Sequence, residues 1–156
     1  MLRKFSCALA VLAITTIAAL AADNSIGTWK VNIAKSKYTP APMPLKSLTT
    51  VRETTPDGVK ATTTGESTDG AINSSYTAKY DGSWAAVTGT GSPFDSISIK
   101  QVNANKFTYE AKQASGKYHA TGSAVISSDG KTMTTTIKGT DANGAPMKMT
   151  LVYDKQ

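Results

Sequence analysis

Asp129-Gly130-Lys131-Thr132-Met133-Thr134-Thr135-Thr136-Ile137-Lys138 is followed, after the turn Asn143-Gly144, by Pro146-Met147-Lys148-Met149-Thr150-Leu151-Val152-Tyr153-Asp154. Both runs alternate. Met133, Thr135 and Ile137 share one side, with Thr132, Thr134 and Lys138 on the other. Met147, Met149, Leu151 and Tyr153 share one side, with Lys148 and Thr150 opposite. A side-chain period of two is the signature of a β-strand with one buried face. Asp-Gly and Asn-Gly supply the φ > 0 positions that tight hairpins need. The two runs therefore form neighbouring antiparallel strands.

The same beat extends back through the chain. Ten strands are expected, at 27–34, 46–54, 59–66, 71–80, 83–88, 95–102, 106–112, 117–127, 131–138 and 146–154. Pro56-Asp57-Gly58, Asp69-Gly70, Asp81-Gly82, Ser115-Gly116, Asp129-Gly130 and Asn143-Gly144 punctuate them, each offering a glycine for φ > 0. Asn103-Ala104-Asn105 is expected to do the same with Asn in the left-handed region. Loops this short join adjacent strands, which gives an up-and-down meander. Ten short strands cannot bury their apolar faces in one flat sheet, so the sheet curls and closes. The expected fold is all-β, an antiparallel up-and-down barrel of eight to ten strands, following an N-terminal signal helix. Pro40, Pro42 and Pro44 forbid a regular helix in the one long early connection. That segment is expected to run extended across one end of the barrel.

Alternation also assigns an interior. Ile72, Tyr76, Ala78 and Tyr80 share a face, as do Ile97 with Ile99 and Phe107 with Tyr109. The expected lining of a ligand cavity is Tyr76, Ile97, Ile99, Phe107, Tyr109, Met133, Met149, Leu151 and Tyr153. The second strand is ambiguous, because Leu48 and Val51 fall on opposite faces, and the pattern leaves the direction of Arg52 open. The runs Thr62-Thr63-Thr64 and Thr134-Thr135-Thr136 read as strand faces presented to water, since threonine is β-branched and favours strands.

The first 21 residues read differently. Arg3 and Lys4 precede an apolar stretch from Phe5 to Leu20, and Ala19-Leu20-Ala21 offers small residues for cleavage. This is a secretory signal pattern. The apolar run is shorter than the ~20 residues that a membrane-spanning helix needs. Cleavage after Ala21 would leave residues 22–156 as one domain with no membrane span, secreted or in a bacterial periplasm. Cys7 is the single cysteine of the 156 residues, so the mature chain would hold neither disulfides nor thiolate metal ligands. The net charge of +6 comes with only 18% charged residues. Its lysines are scattered singly, which is not the basic stripe of a nucleic-acid binder.

Gly27-Thr28-Trp29-Lys30 at the first strand resembles the opening of the calycins: lipocalins, fatty-acid-binding proteins and avidins. The resemblance implies that Gly27 and Trp29 are a structural motif, with the tryptophan plugging the closed end of the barrel. The strand count and the ending Leu151-Val152-Tyr153-Asp154-Lys155 are similar to the fatty-acid-binding proteins. The chain also resembles small exported bacterial lipocalin-like proteins of unassigned function, through Gly-Thr-Trp-Lys and Asp129-Gly130-Lys131-Thr132-Met133. It departs from the family pattern in two places. The Arg-x-Tyr that clamps a fatty-acid carboxylate on the last strand is here Leu151-Val152-Tyr153, and the Pro-rich segment replaces a helical lid. With only Trp29 and Trp84, the chain also lacks the tryptophan box of the avidins.

The expected function is binding of a small apolar or neutral ligand by a monomeric barrel, without cofactor. The alternative is a structural or interaction protein of the cell envelope with a filled barrel. Catalysis finds little support. His119 is the single histidine and its small neighbours Ala120 and Gly122 set it facing outward. No spaced ligand set for a metal occurs. The nearest titratable candidates for an enzyme are Arg52, Glu53 and Glu110. The Gly89-Thr90-Gly91-Ser92 stretch lacks the helix of a phosphate loop, and Trp84 and Phe94 beside it could frame a portal. One consequence of the cysteine count is directly measurable. Reducing agent should leave the melting temperature of the mature protein unchanged, and N-terminal sequencing should begin at Ala22. A thiol-dependent melting point, or a secreted chain starting at Met1, would contradict this reading.

Overall fold

A computed structural model describes residues 23–156. The expected signal helix and its cleavage site lie outside the described residues. Eleven strands form one sheet: β1 Gly27–Val31, β2 Lys37–Thr39, β3 Leu45–Thr55, β4 Gly58–Ser67, β5 Gly70–Lys79, β6 Asp81–Thr90, β7 Ser96–Asn103, β8 Lys106–Lys112, β9 His119–Ile126, β10 Thr132–Thr140 and β11 Pro146–Lys155. Strands β3 to β11 pair in sequence order and all neighbours are antiparallel. β1 pairs with β3 on one side and with β11 on the other. The pairs Trp29↔Lys155, Lys30↔Asp154 and Val31↔Tyr153 close a ten-stranded barrel. Closure removes the free edges that a meander of this length would expose.

The first strand is shorter than its sequence suggested. Ile33–Lys35 forms a single 3-10 turn capped by Asn32, whose side chain accepts from the Lys35 N–H. Side-chain competition of this kind breaks a strand. Pairing with β11 then resumes through β2, with Tyr38 opposite Met149. Ser36 spans the interruption. Its hydroxyl donates to Asn32 O at 2.7 Å and accepts from the Val152 N–H at 3.0 Å, so the ladder loses no donor. The Pro-rich segment then reaches the end of the barrel opposite Trp29, where Pro44 O accepts from the Thr68 N–H.

Three of the expected turns use different physics. Gly130 and Gly144 do adopt φ of +70° and +85°. Gly58 and Gly116 are not among the positive-φ glycines. At Gly58 a Cβ would run into the carbonyl of Ala78, so the requirement there is close strand approach. No described non-glycine residue has positive φ, so Asn103 and Asn105 are not left-handed. Instead Asn103 Oδ1 accepts from the Asn105 N–H at 2.9 Å, an Asx turn that closes the β7–β8 hairpin.

The interior is continuous. Trp29, Val31, Val59, Ala78, Ile97, Ile99, Phe107, Ala120, Met133, Leu151 and Tyr153 are all buried in one cluster. Thr63 and Thr135 line its cavity while their neighbours Thr62, Thr64, Thr134 and Thr136 alternate away, so the threonine runs serve both faces and not water alone. Trp29 is fully buried beneath Lys155, whose ammonium lies 5.1 Å from the ring centroid. Its indole N–H donates to Ser25 O at 2.7 Å. The ring seals the end of the barrel where the β3–β4, β5–β6, β7–β8 and β9–β10 hairpins meet. Trp29→Ala should therefore cost about 3–5 kcal/mol of stability, the range for emptying a large aromatic site. Chemical denaturation of the variant measures this; a loss below about 1 kcal/mol would show that the tryptophan does not seal the core.

Candidate ligand-binding cavity

The inward faces of the strands do not meet at the centre. They enclose a cavity of about 440 Å³, within the usual size range for small-molecule sites of about 300–1,000 Å³. All nine residues expected from alternation line it: Tyr76, Ile97, Ile99, Phe107, Tyr109, Met133, Met149, Leu151 and Tyr153. Trp29 does not line it, as befits a plug. Leu48, Thr50 and Arg52 of β3 also face the cavity, while Val51 is on the outer face. This resolves the ambiguous strand. The inward set there is Leu48-Thr50-Arg52, a mostly polar face on which apolar alternation gives no signal.

The mouth lies opposite Trp29. Tyr38, Pro44, Phe94, Tyr118, Asp69 and Asp141 surround it. Phe94 stacks on Tyr118 with ring centroids 5.8 Å apart. Trp84 takes no part. It sits outside on β6, 44% exposed, with the Lys112 ammonium 4.1 Å from its ring centroid. The expected Trp84–Phe94 portal is thus half right in place: the two residues fall on opposite faces of the wall. Ser92, whose hydroxyl donates to Phe94 O, shapes the loop instead.

Arg52 lies near the closed end. Its guanidinium carbon is 5.9 Å from the Phe107 ring centroid. Burial alone would lower its pKa, but the phenols of Tyr76 and Tyr80 and the Asp23 carboxylate outweigh this and raise it. The group is a permanent cation. Tyr80 links it to the N-terminal segment, donating to Asp23 Oδ2 at 2.5 Å and lying 3.3 Å from Ser25 Oγ. Among the described residues, Arg52 Nε and Tyr109 Oη are buried with no hydrogen-bond partner. By contrast, Thr50 and Thr63 on the same wall satisfy each other at 3.1 Å.

Arg52 changes the chemistry of the site. The nine expected lining residues offer only the phenols of Tyr76, Tyr109 and Tyr153 as polar groups, which suits a neutral ligand. A fixed cation among apolar walls is costly unless it is paired, and it removes that premise. The other candidates for acid–base work stand outside. Glu53 is exposed and pairs with Lys60, and Glu110, half-buried, hydrogen-bonds His119 Nε2 at 2.7 Å on the outer wall. The described residues contain no group of three or more His, Cys, Asp or Glu side chains placed to hold a metal.

No protein-family model matches this chain, and no curated protein sequence matches it. Among solved structures it is similar to the one described as EF1p2_mFAP2b bound to DFHBI, with a TM-score of 0.47 and 13% identity, over 85% of this chain and 94% of that one. Strand order, closure and the internal cavity define a closed up-and-down antiparallel β-barrel.

The interior tyrosines allow a test of this interior. Burial pushes the Tyr118 phenol up to about 12, and burial with the bond to Asp23 does the same at Tyr80. Burial also raises Tyr109 and Tyr153. An unfolded tyrosine ionises near pH 10. Their contribution to stability is therefore complete below about pH 10 and lost as pH rises toward 12. An absorbance titration should show these phenols ionising together with unfolding. Independent ionisation of all of them near pH 10 in a folded protein would contradict the buried interior.

Proposed function

We propose that this protein binds a small amphipathic molecule inside the barrel, its apolar body against Ile97, Ile99, Met133, Met149 and Leu151 and its acidic head at Arg52. The observation that carries this reading is the buried, under-satisfied Arg52 facing a 440 Å³ apolar-walled cavity. A cavity of this size argues against the filled-barrel, purely structural alternative. The Leu151-Val152-Tyr153 departure from the family clamp fits as well. The inward cation stands on β3 instead, and Tyr153 is close enough to interact with it. The outward placement of Glu53, Glu110 and His119 supports a binding protein over an enzyme. The Arg3–Ala21 pattern supports export, and the Gly-Thr-Trp-Lys opening supports a lipocalin-like or fatty-acid-binding-protein-like member of the calycins.

Displacement of a fluorescent probe by decanoate and by decanol tests this. A hydrogen bond to a charged group contributes about 1.5–3 kcal/mol. Decanoate should bind at least about tenfold tighter than decanol at neutral pH. Its advantage should vanish as the acid protonates, and should vanish at all pH values in Arg52→Met. Equal or tighter binding of decanol, unchanged by Arg52→Met, would return the site to a neutral ligand.

A further inference from the structure

Tyr109 is the second unsatisfied polar group of the cavity, and the proposed role of Arg52 does not use it. Its ring projects inward from β8, and its hydroxyl has no hydrogen-bond partner among the described residues. Leaving a buried hydroxyl unpaired costs stability that a phenylalanine would avoid. The wall is built around it. Tyr109 stands opposite Gly122 of β9, where a Cβ would come within 2.5 Å of the Tyr109 hydroxyl. The glycine leaves the phenol the space it occupies.

The position of Tyr109 relative to Arg52 has chemical content. Phe107, beside the Arg52 guanidinium, is two residues nearer the closed end on the same strand. Two residues of strand span about 7 Å. A ligand with its head at Arg52 and its body toward the mouth therefore passes the Tyr109 hydroxyl partway along its length. At that level the neighbouring wall residues Ile99 and Gly122 bring no polar side chain.

Resting on the proposed acidic head at Arg52, we propose that the ligand is an oxygenated acid: a carboxylic acid with a hydroxyl or oxo group on its chain, about 7 Å from the head, which Tyr109 recognises. Burial keeps the phenol protonated, so it can donate to either kind of oxygen. Plain acids fit the cavity but leave Tyr109 unpaired. The oxygenated acid satisfies both orphan groups at once. Tyr109 is then the residue that sets selectivity along the chain, and Arg52 sets it at the head.

The test is a positional series of hydroxydecanoates measured against decanoate, on the native protein and on Tyr109→Phe. One mid-chain isomer should bind about three- to tenfold tighter than decanoate, and Tyr109→Phe should abolish that gain, so that the variant binds the isomer no tighter than it binds decanoate. The variant should melt no lower than the native protein, because its lost hydroxyl bonds to no protein group. If decanoate binds through Arg52 but no isomer gains, or if Tyr109→Phe weakens all acids equally, the second polar position is refuted and the Arg52 site stands. A lower melting point for Tyr109→Phe would show that the hydroxyl bonds within the protein, and would also refute it. If no acid in the series binds, both the head position and the second position fall.

Discussion

The pairing of β1 with β11 is the constraint on which the rest of the structure depends. Without Trp29↔Lys155 and Val31↔Tyr153, the meander would be an open sheet with two exposed edges and a half-solvated apolar face. With them, every inward side chain faces another across the barrel. The closure is short, and the 3-10 turn at Ile33–Lys35 interrupts it. Ser36 and β2 carry the ladder past the break, and Trp29 fills the end beneath it. The long β3–β4–β5 hairpins and the β9–β10–β11 hairpins then hang from a seam of a few residues.

Closing the barrel also creates its central electrostatic problem. Ten strands enclose more volume than their side chains fill, and into that space β3 projects a permanent cation. Tyr80 and Asp23 provide partial compensation from the closed end, through a chain of hydrogen bonds that includes Ser25. The short segment Asp23 to Trp29 thus supplies both the plug, Trp29, and the carboxylate that helps temper Arg52, Asp23. Toward the mouth, the walls are apolar and aromatic, with carboxylates only at the rim in Asp69 and Asp141. An acidic head drawn to Arg52 leaves that rim behind and places its apolar body where the walls are apolar.

Much of the barrel was legible in the sequence because its signals are local. Alternation in β10 and β11 and the glycines of their turns fix strand positions within a residue or two, and the nine inward residues follow from parity alone. The misreadings came where a side chain does backbone work. Asn32 ended the first strand through a cap, Asn103 closed a turn through its side chain without left-handed backbone, and Gly58 answered a close approach that only the neighbouring strand reveals. Arg52 was illegible for a different reason. Its strand alternates threonine, arginine and leucine against serine, valine and glutamate, so hydrophobicity has no period to read. The unpaired hydroxyl of Tyr109 is a property of the space around it, and only the fold supplies that space.

Beyond Arg3, the chain has a single arginine, so the Arg52 Nε–H signal can be observed alone by nuclear magnetic resonance in protein beginning at Ala22. Titration with decanoate tests the central claim, that an acidic head group pairs with this buried cation. The account predicts one Arg Nε–H resonance that shifts strongly and saturates with decanoate, and that moves little with decanol at matched occupancy. A resonance that stays in place while decanoate demonstrably fills the cavity would contradict it.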